Sequence, residues 1–213
     1  MPTSRSAERR QPPDKTTILT LAPFAGIAPQ HIVVPSSEAQ LAAAWADLSA
    51  QRHVGFDTES KPTFVSGQQS RRPDVAQFAT PSRAYVLQLR HAGCEELTRA
   101  LLADTGITKV GFDLKQDQAQ LRQHMGVQAQ PLIDLDQVFH RQGYPRSVGI
   151  KTAVAIVFGQ RFTKSKKITT TNWAATQLDA RQLMYAANDA YVALRVLQAL
   201  NLTEDKIVLA PPR

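Results

Sequence analysis

The sequence predicts an α/β fold in which a mixed β-sheet is flanked by helices, and three observations support this prediction. Three strand-like segments occur early, and a short turn at residues 80–83 separates the last two, which is typical of antiparallel neighbours. Helical and strand-like segments then alternate, which indicates parallel crossovers. The last third of the chain is mostly helical and ends in a long amphipathic helix.

The elements are predicted in the following order. A first helix begins at Ser36 or Ser37, because a serine oxygen can accept a hydrogen bond from a first-turn amide. The strands HVGFDTE, VAQFAT and RAYVLQLR come next. CEELTRALLAD is helical, KVGF is a short strand, LKQDQAQLRQHM is helical and PLIDLDQVF enters another strand. Asp113 is predicted to cap the helix that follows KVGF, and Asp179 the final helix.

The length of 213 residues suits one domain with tails. We expect a flexible basic N-terminal tail at residues 1–28, a compact domain at residues 29–205 and a C-terminal tail at residues 206–213. The single cysteine, Cys94, excludes an intrachain disulfide and a cysteine-rich zinc site, and it fits a cytoplasmic protein. No apolar run approaches the roughly 20 residues that span a bilayer, so we expect no membrane partner.

Positive charge is concentrated in one part of the chain. The net charge is +7, and residues 137–178 contain no acidic residue. Seven basic residues lie in that stretch: Arg141, Arg146, Lys151, Arg161, Lys164, Lys166 and Lys167. A segment with charges of one sign suits a polyanionic partner such as nucleic acid, and a solvated basic surface is the alternative.

Acidic residues occur at unexpected places in the apolar pattern. Asp57 and Glu59 end a strand and share one of its faces, where like charges repel each other. Asp189 interrupts an apolar row of the final helix, one turn after Tyr185, and Asp117 lies beside the buried face of a middle helix. For Asp117 and Asp189 a partly exposed position at the helix edge is the alternative.

A divalent cation reconciles these four acids, because a metal ion turns repulsion between carboxylates into coordination. Oxygen ligands without cysteine or a histidine cluster favour Mg²⁺ or Mn²⁺ over Zn²⁺. Magnesium sites commonly combine one or two carboxylates with substrate phosphate oxygens, which agrees with the basic segment.

The motifs VGFDTE, VGFDLKQDQAQL and YAANDAYVAL resemble, in order, the three exonuclease motifs of the DEDD superfamily. The spacing from Tyr185 to Asp189 resembles the tyrosine branch, since the histidine branch would place histidine where Met184 stands. The segment KSKKITTTNWAATQLDARQLMYAANDAY is similar to the group containing the exonuclease domain of the Werner syndrome protein, and ribonuclease D is a more distant relative. The resemblance covers about residues 30 to 202.

This resemblance implies a ribonuclease H-like fold and hydrolysis of phosphodiester bonds from the 3′ end by two Mg²⁺ or Mn²⁺ ions. It implies Asp57, Glu59, Asp117 and Asp189 as metal ligands and Tyr185 as the residue that orients the attacking water. DNA is the expected substrate on this resemblance. An RNA 3′-end-processing enzyme of the ribonuclease D type, or a catalytically silent nucleic-acid-binding module, are the alternatives.

The resemblance also bears on partners and on substrate contacts. No phosphate loop of the type Gly-x-x-x-x-Gly-Lys-Ser/Thr is present, so a helicase partner would be a separate polypeptide. Ala119 stands where the Werner domain has a tryptophan near the substrate. The candidate nucleic-acid contacts are Arg71, Arg72, Lys164, Lys166, Lys167 and Trp173. Solvated basic loops are the alternative for the lysines, and packing beneath the final helix is the alternative for the tryptophan.

Overall fold

A computed structural model describes residues 10–62, 72–144 and 147–202. The strands are Ile32–Val33 (β1), His53–Glu59 (β2), Val75–Ala79 (β3), Ala84–Gln88 (β4), Thr108–Gly111 (β5) and Leu132–Asp134 (β6). The helices are Lys15–Thr20 (α1), Glu38–Ser49 (α2), Ala92–Ala103 (α3), Lys115–Met125 (α4), Leu135–Arg141 (α5), Ile150–Phe158 (α6), Lys166–Thr169 (α7) and Ala180–Leu200 (α8).

The strands form one six-stranded sheet in the order β1-β4-β3-β2-β5-β6. Strands β2, β3 and β4 are antiparallel neighbours, and β5 and β6 extend the sheet in parallel from β2. The predicted mixed sheet is therefore confirmed, and the strand that carries the paired acids lies inside it. The two-residue strand β1, which pairs in parallel with β4, was not predicted.

Helices cover both faces of the sheet and enclose a separate hydrophobic core on each side. One core joins α2, α3 and α4 to residues such as Val54 and Phe56 of β2. The other core joins α5, α6 and α8 to residues such as Val75 and Ala79 of β3. Since successive strand residues face opposite sides, the even-numbered residues of β2 point to the first core and the odd-numbered ones to α8.

A glycine lets the backbone of α8 lie directly on β2. A Cβ atom at Gly55 would stand 1.9 Å from the carbonyl oxygen of Ala190, which is far inside any real contact. Any larger residue at this position would push the helix away from the strand. The close approach brings the residue before Ala190, which is Asp189, to the face of β2 that carries Asp57.

The capping predictions had different outcomes. Asp179 caps α8 in a capping box with Gln182, as predicted. Asp113 does not cap α4: it adopts a left-handed conformation with φ of 53°, and no side chain caps that helix. The carboxylate of Asp134, in β6, accepts hydrogen bonds from the amides of Asp113 and Leu114, which precede the first turn of α4.

Residues 10–28, which the sequence assigns to a tail, make specific contacts in the structure. Residues 15–20 form α1, capped by Asp14. The amide of Ile27 donates to the side-chain oxygen of Asn188 in α8 at 3.0 Å, and the Ile27 side chain is buried. This segment therefore packs against the exonuclease-like domain instead of extending from it. The C-terminal tail and residues 1–9 lie outside the described residues.

Within the described ranges, no helix combines the length and the apolar composition that crossing a bilayer requires.

Candidate active site

Three acidic side chains meet where α8 crosses β2. Asp57 and Glu59 project from the strand toward the helix, and Asp189 projects back from it. One carboxylate oxygen of each residue lies within 4.8 Å of those of the other two. Asp57 and Glu59 lie on the same face of β2 because they are two residues apart. Asp189 reaches them because Gly55, which has no side chain, lets the backbone of α8 approach the strand closely.

The three carboxylates are withdrawn from water and receive little support from hydrogen bonds. Glu59 is 8% exposed and Asp189 is 4% exposed, so the position at the helix edge considered for Asp189 is wrong. Both oxygens of Asp189 are buried, and no donor among the described residues reaches either of them in hydrogen-bonding geometry. Their partner is the ammonium of Lys164, which lies 2.7 Å from Oδ2.

Burial raises the pKa of all three carboxyl groups, and repulsion from neighbouring acids raises the pKa of Asp57 and Glu59 further. The pKa of Asp57 is raised well above its usual value, first by burial and then by the charges of Asp117, Asp189 and Glu59. Burial followed by repulsion from Asp189 raises the pKa of Glu59 to about 8. Burial raises the pKa of Asp189 to about 6, although the charge of Lys164 opposes this increase.

This donor set fits a divalent metal ion. Three carboxylates face the single positive charge of Lys164, so the cluster keeps an excess of negative charge that a hard cation with oxygen ligands would neutralise. The oxygens of Asp189 point to the same conclusion, because no hydrogen-bond donor among the described residues reaches them and a buried charge with so little support is costly. Asp57, Glu59 and Asp189 are thus able to hold a metal ion.

The fourth predicted ligand, Asp117, lies beside this cluster and is not part of it. Its carboxylate accepts a hydrogen bond from the hydroxyl of Thr58, whose side chain leaves β2 on the opposite face from Asp57. The charge of Asp117 nevertheless raises the pKa of Asp57 and of Glu59, so Asp117 interacts electrostatically with the acids on the other face of β2. The structure therefore brings three of the four predicted ligands into contact range and keeps the fourth nearby.

Tyr185 lies one turn before Asp189 on α8 and is 8% exposed. Its hydroxyl shares a hydrogen bond of 2.8 Å with the hydroxyl of Thr169 in α7. Burial and the charge of Asp189 raise the pKa of this phenol, so it stays protonated at neutral pH. A protonated phenol can donate a hydrogen bond or orient a water molecule, but it cannot act as a base.

Lys164, predicted as a surface contact for phosphates, is turned into the acid cluster. Besides its ion pair with Asp189, its Nζ atom lies 4.7 Å from the centre of the Tyr185 ring. The attraction of Asp189 and Asp57 raises the pKa of Lys164 despite its burial. Lys166 and Lys167 are exposed on α7 and remain predicted contacts for nucleic acid.

The remaining predicted contacts have other surroundings. Arg71 lies outside the described residues. The guanidinium of Arg72 forms an ion pair of 2.7 Å with Glu95 and donates a hydrogen bond to the carbonyl of Leu89. Trp173 is 1% exposed and packs against the Tyr185 ring at 5.9 Å between centroids. The tryptophan therefore has no free face for a base, and the alternative of packing beneath the final helix is correct.

Two threonines complete the site and were missed by sequence reasoning. Thr58 stands between the two acids of β2 and binds Asp117, while Thr169 binds Tyr185. A hydroxyl between two acids in DTE was a signal for Thr58. No comparable signal marks Thr169, since its partner lies 16 residues away in another helix.

Comparison with known proteins identifies the family of this chain. Residues 32–203 match the family described as 3′-5′ exonuclease. A 3′-5′ exonuclease of Arabidopsis thaliana is 26% identical over 163 residues, which are 76% of this chain and 57% of the relative. The human exonuclease mut-7 homolog is 30% identical over 205 residues, covering 80% of this chain and 23% of that protein. The mouse bifunctional 3′-5′ exonuclease/ATP-dependent helicase WRN is 28% identical, covering 74% of this chain and 11% of that protein.

Solved structures share the fold. The RNase D of Trypanosoma brucei superposes with a TM-score of 0.69 at 22% identity, covering 82% of this chain and 66% of that one. The RNase D of Escherichia coli superposes with a TM-score of 0.67 at 24% identity, covering 79% of this chain and 44% of that one. The chain spans less than two thirds of the curated relatives named above. Because the family match extends over most of the sequence and over every residue of the acid cluster, the chain belongs to the 3′-5′ exonuclease family.

Proposed function

We propose that this protein removes nucleotides from the 3′ end of a nucleic acid strand, preferably DNA, by metal-dependent hydrolysis that releases nucleoside 5′-monophosphates. The observation that carries the proposal is the convergence of Asp57, Glu59 and Asp189 within 4.8 Å, beside a tyrosine. A cluster of three carboxylates, in which the oxygens of Asp189 have no hydrogen-bond donor among the described residues, is suited to hold a cation against a phosphate.

The acidic residues have distinct roles in this proposal. Asp57, Glu59 and Asp189, whose carboxylates converge, would hold one divalent ion. Asp117, whose charge acts on Asp57 and Glu59, would help Asp57 to hold the second ion. When bound, divalent ions polarise the phosphate and lower the pKa of a coordinated water.

Tyr185 is a positioning group in the proposed reaction. Its phenol remains protonated because burial raises its pKa, and Thr169 orients its hydroxyl. It therefore holds the attacking water by a hydrogen bond and does not remove its proton. Replacing Tyr185 with phenylalanine removes this one contact and leaves the acid cluster intact.

The basic segment of the chain supports a polyanionic substrate. Lys166 and Lys167 are exposed on α7, and Thr169 at the end of the same helix contacts Tyr185. Phosphates that bind these lysines would therefore lie close to the acid cluster, and such contacts weaken with salt. The absence of acidic residues between positions 137 and 178 removes competing anions from this part of the sequence.

RNA is the second candidate substrate. A structure of T. brucei RNase D in complex with RNA U12 has a TM-score of 0.70 with this chain at 22% identity, which favours a cleft able to take RNA. A separate helicase remains a prediction for a partner; among the relatives, the mouse protein is named as both exonuclease and helicase.

The test is a time course on strands labelled at the 5′ end, with matched DNA and RNA, in Mg²⁺ or Mn²⁺. We expect a ladder that shortens by single nucleotides from the 3′ end. Asp57→Ala and Asp189→Ala should lower the rate by at least about 100-fold, and Tyr185→Phe less severely. Glu96→Ala, which changes an exposed acid of α3, is the matched control.

Each outcome has a separate meaning. A faster ladder on RNA than on DNA would replace the preferred substrate by the second candidate. Degradation by Asp57→Ala at the wild-type rate, with the fold verified by circular dichroism, would refute the metal-dependent mechanism. An unchanged rate for Tyr185→Phe would remove the role proposed for the phenol and leave the rest intact.

A further inference from the structure

Lys164 differs from the other lysines of its segment. Its neighbours Ser165, Lys166 and Lys167 are exposed, whereas its own side chain is only 28% exposed. The ammonium lies 2.7 Å from Oδ2 of Asp189 and over the ring of Tyr185. A charged side chain has thus been turned from solvent into the acid cluster.

The backbone around Lys164 holds the side chain in this orientation. Phe162 and Ile168 are buried on either side of the segment and anchor it to the core below α8. The side chain of Lys151 in α6 donates a hydrogen bond of 2.9 Å to the carbonyl of Lys164. The inward position therefore rests on several contacts besides the attraction of the acids.

The charge of Lys164 acts on the same carboxylates that are suited to hold metal. Its positive charge opposes the increase in pKa of Asp57, Glu59 and Asp189 alike. Among the described residues, it is the cation paired with Asp189, whose oxygens have no hydrogen-bond donor in suitable geometry. An ammonium and a divalent ion on one buried carboxylate repel each other strongly.

We propose that Lys164 is the resident counter-cation of the acid cluster, which neutralises Asp189 until a divalent ion binds and is displaced by that ion. This inference rests on the proposed function, because it concerns the loading of the same metal site. It assigns to Lys164 a positioning role that differs from a surface contact with phosphate. By thermodynamic reciprocity, metal binding must weaken the Lys164 contact as much as the contact weakens metal binding.

The test measures Mn²⁺ binding without nucleic acid, by calorimetry on the full chain at pH 8. Lys164→Met should bind Mn²⁺ about 5- to 30-fold more tightly than the wild type, which is within the usual range for coupled sites. Lys15→Met, the same change at an exposed lysine of α1, should leave the affinity unchanged. Lys164→Arg keeps the positive charge and should bind within about 2-fold of the wild type, which separates loss of charge from loosening of the segment.

Thermal melting provides a second measurement, which distinguishes a counter-cation from a lysine that only supports the fold. In EDTA, Lys164→Met should melt below the wild type, because Asp189 has lost its counter-charge. Saturating Mn²⁺ should close this difference, since the ion then replaces the ammonium in both proteins. A lysine that only supports the fold would leave the same difference with and without Mn²⁺.

The results distinguish this inference from the proposed function. Equal or weaker Mn²⁺ binding by Lys164→Met, with tight binding by the wild type, would overturn the role of Lys164 and leave the metal site standing. Absence of Mn²⁺ binding in the wild type and in every variant would overturn the metal site, and the inference with it. Binding that appears only in Lys164→Met would support the inference in its strongest form.

Discussion

Replacement of Gly55 by alanine should disable the site without altering any acidic residue. The new Cβ would stand 1.9 Å from the carbonyl oxygen of Ala190, whereas ordinary contacts begin at 3.4 Å. The backbone of α8 must therefore retreat by about 1.5 Å at this point, the difference between these distances. Asp189, which precedes Ala190, would move away from Asp57 and Glu59.

The magnitude follows from the size of this movement. Overpacking of a well-packed interior costs about 1–3 kcal/mol, which lowers the melting temperature of a chain of this length by about 2–12 °C. A displacement of 1 Å in a reacting geometry can lower a rate by about 100-fold. Gly55→Ala should therefore remain folded at 25 °C, cleave about 100-fold more slowly and bind Mn²⁺ more weakly.

The assay combines a thermal melt, Mn²⁺ calorimetry and the time course on labelled strands. Gly149→Ala is the control, because a Cβ at that glycine meets nothing within 4 Å. If Gly55→Ala melted with the wild type and cleaved at its full rate, the close approach of α8 would not be what assembles the site.

Further predictions concern pH, a buried amide and substrate binding. The pKa values of Glu59 and Asp189, raised to about 8 and about 6, mean that the metal-free folded state binds more protons than the unfolded state. Its stability should therefore decrease as pH rises from 5 to 9, and Mn²⁺ affinity should increase over the same window. Gln77→Met should raise the free energy of unfolding by about 1 kcal/mol, because the buried amide of Gln77 has no hydrogen-bond partner in the described part of the chain. Changing Lys166 and Lys167 together to glutamine should reduce the salt slope of single-strand binding by about 1.4.

Each of these predictions has a contrary outcome. A metal-free stability that increases between pH 5 and pH 9 in urea titrations would contradict the raised pKa values. A lower free energy of unfolding for Gln77→Met would mean that the amide has a stabilising partner. An unchanged salt slope for the lysine pair, measured by fluorescence anisotropy, would place the path of the strand on another surface.

Much of the fold was predictable because it depends on patterns along the chain. A short apolar run that ends in two acids marked β2, and apolar spacing of three and four marked α8, whose apolar side packs against the sheet. The capping box at Asp179 was correct because its partner lies three residues away. The cap predicted at Asp113 was wrong: this residue adopts a left-handed conformation, and its amide and that of Leu114 bind Asp134 in another strand.

The candidate site was predictable in its residues and less so in its arrangement. Four acids at unusual positions, together with Tyr185, indicated a metal centre. Their separation could not be read from the sequence: it depends on how closely α8 approaches β2, which a single glycine permits. The burial of Lys109 could not be predicted from the sequence for the same reason. This lysine of β5 is fully buried, and its ammonium donates hydrogen bonds to three backbone carbonyls.

The sequence alone determined the strands and helices that carry the acids, and which side of each helix is apolar, because these properties depend on neighbours within a few residues. It also determined that acids would stand on three of these elements. Only the tertiary structure decided that Asp57 and Asp189 would lie within reach of each other, that Asp117 would bind Thr58, and that Lys164 would turn inward. Those contacts join residues far apart along the chain, and packing of the whole sheet against its helices sets their distances.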